Sequence, residues 1–522
     1  GKGGRIERVE FDNYDIWADK TEWVLARIRV WLVGREEPQD YGLPLALAWE
    51  EKDDGDEALR PLWPYALARV RVRARMGLLY DAFADERFSQ GLMKMIARNA
   101  RIPLGNGWLK FSATRAFHEL AGDLPEMLPV KRLALDSSNT TIAIGNRMLL
   151  KGYRRLHPGV SPELEMGRFL TDVAAFGNAA PLAGALEYEN EEDGTVIALA
   201  ILQGFVANQG DAWTYTLDYL KRFFDDRLSQ QTEPAVLEAD ESSSPHAVFL
   251  LFATTLGRRT GELHRALAQT TGNPAFDPEP ITVADMTRWL DQIRDEVEMT
   301  LERLKQAKNR LPEPVQALAE QVLEAQIGLP RAGRYASLAA QVLEVRGAAA
   351  ARSVQVEAMT PHAMKTRYHG DYHLGQVLVA KDDVIIIDFE GEPARSLEER
   401  RGKHSPLRDV VGMLRSFNYA AHAALRQATA DGASNQEELI PHAHDWEQQT
   451  RMAFLAGYTE TAGDSPGYPA DPDQVRVLLE LFALEKACYE LRYELDNRPD
   501  WVEIPLGGLC ELLSFETKDA PR

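Results

Sequence analysis

The sequence predicts an α+β fold, with strands concentrated before about residue 206 and helices after it. Three patterns carry this. In Trp23–Leu32, Ile28, Val30 and Leu32 share one face while Arg27, Arg29 and Trp31 share the other, the period of a half-buried strand. Thr141–Lys151 reads as two apolar strands around a Gly145-Asn146 turn. Met286, Leu290, Ile293, Val297, Leu301 and Leu304 recur at three- and four-residue steps, the stripe of a packed helix.

In chain order, Arg5–Phe11, Trp23–Leu32 and Leu43–Trp49 are strand segments parted by polar turns at Arg35–Pro38 and Asp53–Asp56. They predict a small, mostly antiparallel sheet with one or two helices. After the 141–151 hairpin, a helix is expected from Ser161-Pro162-Glu163 to about Leu170, because proline at the first helical position and early acids are start signals. Val196–Phe205 is a buried-strand candidate. From Trp213 onward the pattern is largely helical, and the 286–304 stripe fits a packed scaffold better than a partner-binding coiled coil. Ser242–Pro245 reads as a surface loop.

Composition narrows the function classes. The 522 residues suggest about three domain-sized units. With 59 Lys+Arg against 80 Asp+Glu the net charge is −21, which disfavours a nucleic-acid binder that needs phosphate-neutralising cations. The two cysteines, Cys488 and Cys510, support neither a disulfide framework nor a zinc site, and point to a reducing compartment. No apolar run approaches the ~18 residues of a membrane span, and no signal-peptide pattern opens the chain. The expectation is a cytoplasmic enzyme with no nucleic-acid or membrane partner.

The chemistry sits in His369-Gly-Asp371-Tyr-His373-Leu-Gly-Gln376 and in the apolar run Val384–Ile387 that ends in Asp388-Phe-Glu390-Gly-Glu-Pro393. Asp371 and Gln376 stand five apart, the Asp-to-Asn spacing of a kinase catalytic loop. Moving a γ-phosphoryl group needs the acceptor hydroxyl oriented and its proton taken, which suits Asp371. It also needs a divalent cation on hard oxygen donors, which suits Gln376 and Asp388. An acid after a strand often only caps a turn, but the ordered set is hard to obtain by chance.

These residues resemble the aminoglycoside-phosphotransferase-like kinases, and within them the bacterial maltokinases. His369–Gln376 matches the family's His-Gly-Asp-x-His-x-Gly-Gln loop, Asp388–Pro393 its Asp-Phe-Glu-Gly-Glu-Pro metal motif, and Arg401–Ser416 its basic segment. Gly1-Lys2-Gly3 looks like the tail of a Trp-Phe-Gly-Gly-Lys-Gly opening. Such kinases are often fused behind a trehalose synthase, so a fused or associated trehalose synthase is an expected partner. The stretch around 224–350 is not anchored by the motifs.

The resemblance implies a two-lobed kinase-like fold: a β-rich N-terminal cap over 1–105, a nucleotide lobe over 106–206 and a helical lobe over 207–522. It implies ATP and Mg2+ as cofactors and, as leading reaction, phosphorylation of maltose at its anomeric hydroxyl to maltose 1-phosphate, feeding glycogen synthesis. A kinase for glucosamine, another sugar or an aminoglycoside is the alternative, and a non-catalytic kinase-like scaffold a third reading. Asp371 is the expected base, with Gln376 and Asp388 as metal ligands.

For the nucleotide, Ser138, Asn139 and Thr140 lie before the hairpin where small polar groups can approach phosphates. No Walker-type glycine loop is present. Lys151 ends the second hairpin strand and can reach phosphates; Glu165 is its expected carboxylate partner, with Glu163 a competitor. Gln203, Phe205 and Val206 fall where a hinge would meet adenine. For the acceptor, Lys486, Tyr489, Glu490, Tyr493 and Asn497 share a helical face of rings and polar tips, joined by His373 and Arg408. The mixed charge of that face favours a neutral sugar over a cationic one. Solvated strand ends and ion-paired helix faces would explain several of these residues equally well.

Overall fold

The computed structural model describes residues 5–17, 23–50, 57, 59–122, 128–133, 139–230, 244–327, 356–357, 359–430 and 436–513. The chain divides into two units, residues 1–207 with 393–400, and 208–392 with 401–522.

The first unit holds two antiparallel sheets. β1 (Ile6–Trp17), β2 (Trp23–Leu32), β3 (Gln39–Trp49), β4 (Ala66–Val72) and β5 (Arg75–Asp81) are ordered β1-β2-β3-β5-β4. Asp85 caps helix α1 (Glu86–Ala97) by accepting from the Arg87 amide. There follow β6 (Arg101–Leu104), β7 (Gly107–Ala113), α2 (Ala116–Ala121), β8 (Val130–Leu133), β9 (Thr140–Ile144), β10 (Met148–Gly152), β11 (Arg155–Leu156), α3 (Pro162–Arg168), β12 (Leu182–Asn190) and β13 (Val196–Gly204). The second sheet runs β6-β7-β12-β13-β10-β9-β8, while β11 returns to pair with β3. Phe88, Leu92 and Ile96 of α1 pack in one core with Trp23 and Tyr80 of the first sheet and Phe111, Ile142, Leu150 and Leu202 of the second. Trp23 and Phe83 both meet Phe88 edge-on, at 5.3 and 5.4 Å between ring centres.

The hairpin of β9 and β10 forms where the sequence placed it. Gly145 and Asn146 take φ of 59° and 50°, the left-handed pair that a tight hairpin requires. Ser161 caps α3 ahead of Pro162, and a π-helical turn over Phe169–Val173 extends it, close to the expected end at Leu170.

The second unit is mainly helical: α4 (Ala212–Gln230), α5 (Ala247–Leu267), α6 (Val283–Ala307), α7 (Glu313–Ile327), α8 (Leu407–Ala430), α9 (Gln436–Ala462), α10 (Pro472–Asn497) and α11 (Glu503–Leu513). The two-residue strands β14 (Glu279–Pro280) and β15 (Met364–Lys365) pair, and β16 (Val377–Ala380) with β17 (Asp383–Ile386) makes a hairpin. The stripe on α6 is buried, and a Thr282–Asp285 capping box starts that helix. α5 and α9 cross backbone to backbone: a Cβ on Gly257 or Gly457 would strike main-chain atoms of the opposite helix. Among the described residues no helix is long and apolar enough to cross a membrane.

Candidate active site

In the second unit, the catalytic-loop candidates are fixed by backbone hydrogen bonds. The amides of His369 and Gly370 donate to Asp409 on α8, at 2.7 and 2.9 Å. Asp409 is buried, and its Oδ2 also lies 3.1 Å from Nε2 of His264 on α5, whose Nδ1 is 2.9 Å from the Tyr458 hydroxyl on α9. Burial alone would raise the Asp409 carboxyl, but the bonds from His264 and the loop outweigh it and hold it below its ordinary range. Gly370 needs its φ of 85°, with Gly391 packed against it. Next to it stands Asp371, its amide directed at His369 Nδ1 at 3.3 Å.

The same loop is tied to the strand end that carries Asp388. His369 Nε2 lies 2.9 Å from the Ile387 carbonyl, and the Ile387 amide donates to the Gln376 carbonyl at 3.0 Å. Gln376 Nε2 donates to Asp388 Oδ2 at 3.0 Å. Asp388 has φ of 66°, a left-handed conformation uncommon outside glycine and typical of functional turns. An amide and a carboxylate in contact supply the hard oxygens that Mg2+ prefers, so the donor chemistry fits that ion. Burial pushes the His373 ring below its ordinary value, which the Asp371 charge opposes.

The α10 face divides. The Lys486 ammonium lies 3.8 Å from Glu392 and 5.0 Å from the Tyr489 ring centre. Burial raises the Tyr489 hydroxyl, and the charges of Glu392 and Asp371 raise it further. Glu490, expected in the acceptor wall, instead accepts two bonds from buried Arg415 on α8, at 2.9 and 2.7 Å. Arg408 is likewise committed, to Glu485 at 2.5 Å. Tyr493 stacks on Tyr489 at 6.5 Å and is 45% exposed. Glu392, His264 and Tyr458 were not singled out from the sequence. Glu392 lies inside the recognised motif, whereas the other two meet the loop only through the helix packing.

In the first unit, Lys151 Nζ donates to both carboxylate oxygens of Glu163, at 3.0 and 2.9 Å, and the Tyr153 hydroxyl donates to the same group at 2.5 Å. The partner of Lys151 is therefore Glu163 and not the expected Glu165, which lies two residues on and about 200° around the helix. Thr140 is buried at the start of β9, and its hydroxyl accepts from Arg154 at 2.8 Å, a structural use instead of an open phosphate contact. Asn139 precedes it at a bend, and Ser138 lies outside the described residues. Gln203 is held in β13 between β10 and β12. The Phe205 amide donates to the Arg147 carbonyl at 2.8 Å, so that N–H is not available to adenine. Val206 and Ala207 close this unit.

With this geometry in place, comparison with known proteins shows what the chain is similar to. A glucosamine kinase of Streptacidiphilus jiangxiensis is 23% identical over 389 residues, covering 74% of each chain. One from Mycolicibacterium smegmatis is 24% identical over 389 residues, covering 74% of this chain and 80% of that protein. A solved glucosamine kinase in complex with glucosamine, ADP and inorganic phosphate matches with a TM-score of 0.61 at 17% identity, over 98% of this chain and 96% of that one. No family model matches. The chain has the kinase-like α+β fold of these structures.

Proposed function

We propose that this chain is an ATP- and Mg2+-dependent sugar kinase whose acceptor is glucosamine. The observation that carries the reaction type is the braced segment in which Asp371 follows two amides pinned by Asp409, with Gln376 bonded to Asp388. Asp371 orients the acceptor hydroxyl and takes its proton. Gln376 and Asp388 would hold magnesium, which supplies charge neutralisation on the phosphates. Lys151, steadied by Glu163, is a cation for the nucleotide phosphates.

The acceptor rests on two supports. The two relatives described above are glucosamine kinases. The charge balance of the α10 face also differs from the one read off the sequence: Glu490 is taken by Arg415, Lys486 pairs with Glu392, and the charges of Glu392 and Asp371 both raise the Tyr489 hydroxyl. One lysine against two carboxylates suits a cationic acceptor. Maltose remains the second reading, favoured by the motif resemblance of His369–Gln376 and Asp388–Pro393. ADP release with ATP, magnesium and separate sugars tests both. Glucosamine-dependent release is expected. Release with maltose alone, accompanied by loss of reducing ends, would replace glucosamine by anomeric phosphorylation of maltose, and no sugar-dependent release would sink the kinase assignment.

A further inference from the structure

Glu392 is 8% exposed, and a carboxylate this covered needs a cation or donors close by. One cation beside it is Lys486, whose Nζ lies 3.8 Å from Oε1, within ion-pair range but longer than a charged hydrogen bond. The Tyr489 hydroxyl donates to the same carboxylate. Lys486 keeps 31% of its side chain exposed on a flexible stem, so the cation can swing aside. Glu392 is the more covered of the two, on the stretch of chain that leaves Asp388 four residues earlier. The result is a covered anion and a more exposed internal cation that share Tyr489, whose hydroxyl also feels the Asp371 charge.

We propose that Glu392 is the acceptor-selecting residue of this site: it binds the ammonium of an aminosugar while Asp371 engages the reacting hydroxyl, and Lys486 holds the ammonium position until the sugar arrives. This rests on the sugar-kinase reading and names the residue that would make the acceptor an aminosugar. A carboxylate discriminates a cationic substituent from a hydroxyl by charge, whereas an amide in its place would bond either one. The Tyr489 ring offers an apolar wall for the C–H face of the sugar.

The test compares kcat/KM for glucosamine and for glucose in the wild type, E392Q and E392D. The charged bond is stronger than the neutral one by enough to make the glucosamine-to-glucose ratio fall about tenfold in E392Q. E392D, which keeps the charge, should retain most of the ratio. KM for ATP, unchanged across the three, reports that the variants are folded. If E392Q does not fold, K486M carries the test: removing the competing cation should lower KM for glucosamine, and a raised KM overturns the proposal. A wild type with no sugar-dependent ADP release sinks the kinase reading and this inference together. A wild type active on glucosamine whose ratio is unchanged in E392Q overturns this inference alone.

Discussion

Residues 369–376 and the α10 face both carry polar candidate side chains, but they fix them by different means. In residues 369–376 the directions are set by main-chain bonds: two amides to Asp409, one to Ser416 at 3.1 Å, and the Gln376 carbonyl to Ile387. On α10 they are set by whichever neighbour meets each side of the cylinder. Glu490 faces Arg415 of α8, Glu494 accepts from Tyr419 of α8, Glu485 takes Arg408, and Lys486 with Tyr489 turns to Glu392. A loop pinned through its backbone gives each residue one task. A helix face parcels its residues among several partners, so shared spacing does not mean shared work.

The sharpest test of that contrast is Asp388→Asn, which should reduce turnover to background while the fold survives, since in the proposed reading its carboxylate would be the main anionic donor for the metal. Activity across a magnesium titration, with a thermal melt beside it, decides the matter; near-normal kcat at ordinary magnesium would remove Asp388 from the metal site. Asp371→Asn comes next. An amide keeps the shape but accepts no proton, so kcat should drop by about 10²–10⁴ with ATP binding largely kept. A loss under about tenfold would mean that another group is the base. Asp409→Asn touches no reactant in this scheme and acts through the loop. Misplacing Asp371 should lower kcat by up to about 10²-fold with both KM values nearly unmoved. A change confined to KM would contradict a positioning role.

The contrast also explains what could be read in advance. The closeness of Gln376 and Asp388 and the braced turn around Asp371 follow a motif whose residue types stand at given separations along one short stretch. The strand–turn–strand at 141–151 and the proline-led helix at 162 were legible because their signals are local backbone preferences. Glu163 over Glu165 was not, because two acids in one helical turn differ only in which side meets β10. The Thr140 hydroxyl and the Phe205 amide are engaged by Arg154 and Arg147, partners that sequence distance hides. The pairing of Glu490 with Arg415 was hidden because nothing along α10 records that Arg415 waits one helix away. His264 reaches Asp409 with Tyr458 behind it, on helices α5 and α9 that glycines let touch.

Glu490→Gln separates packing from acceptor binding. It leaves buried Arg415 without its charge partner, and breaking such a pair costs about 3–5 kcal/mol. The melting temperature should fall clearly while KM for glucosamine in the folded fraction stays near wild type. A raised KM with no loss of stability would return Glu490 to the acceptor wall.

The smallest effect is expected at Tyr493. It sits one turn beyond Tyr489 with 45% of its surface exposed and Arg498 5.4 Å from its ring centre. Helical spacing puts it in line with Lys486 and Tyr489, but the Asp371 charge reaches Tyr489, and Tyr493 only stacks behind that ring. Removing it therefore takes away a partly solvated stacking contact and nothing that holds the sugar. For Tyr493→Ala the stability change should stay near the surface range of about 0.5 kcal/mol, enlarged a little by the lost stacking. Initial-rate kinetics should then give KM for glucosamine within about twofold of wild type, below the shift of a lost hydrogen bond. An increase of about tenfold or more would extend the acceptor wall a full turn along α10, and would favour an acceptor longer than one ring, such as maltose.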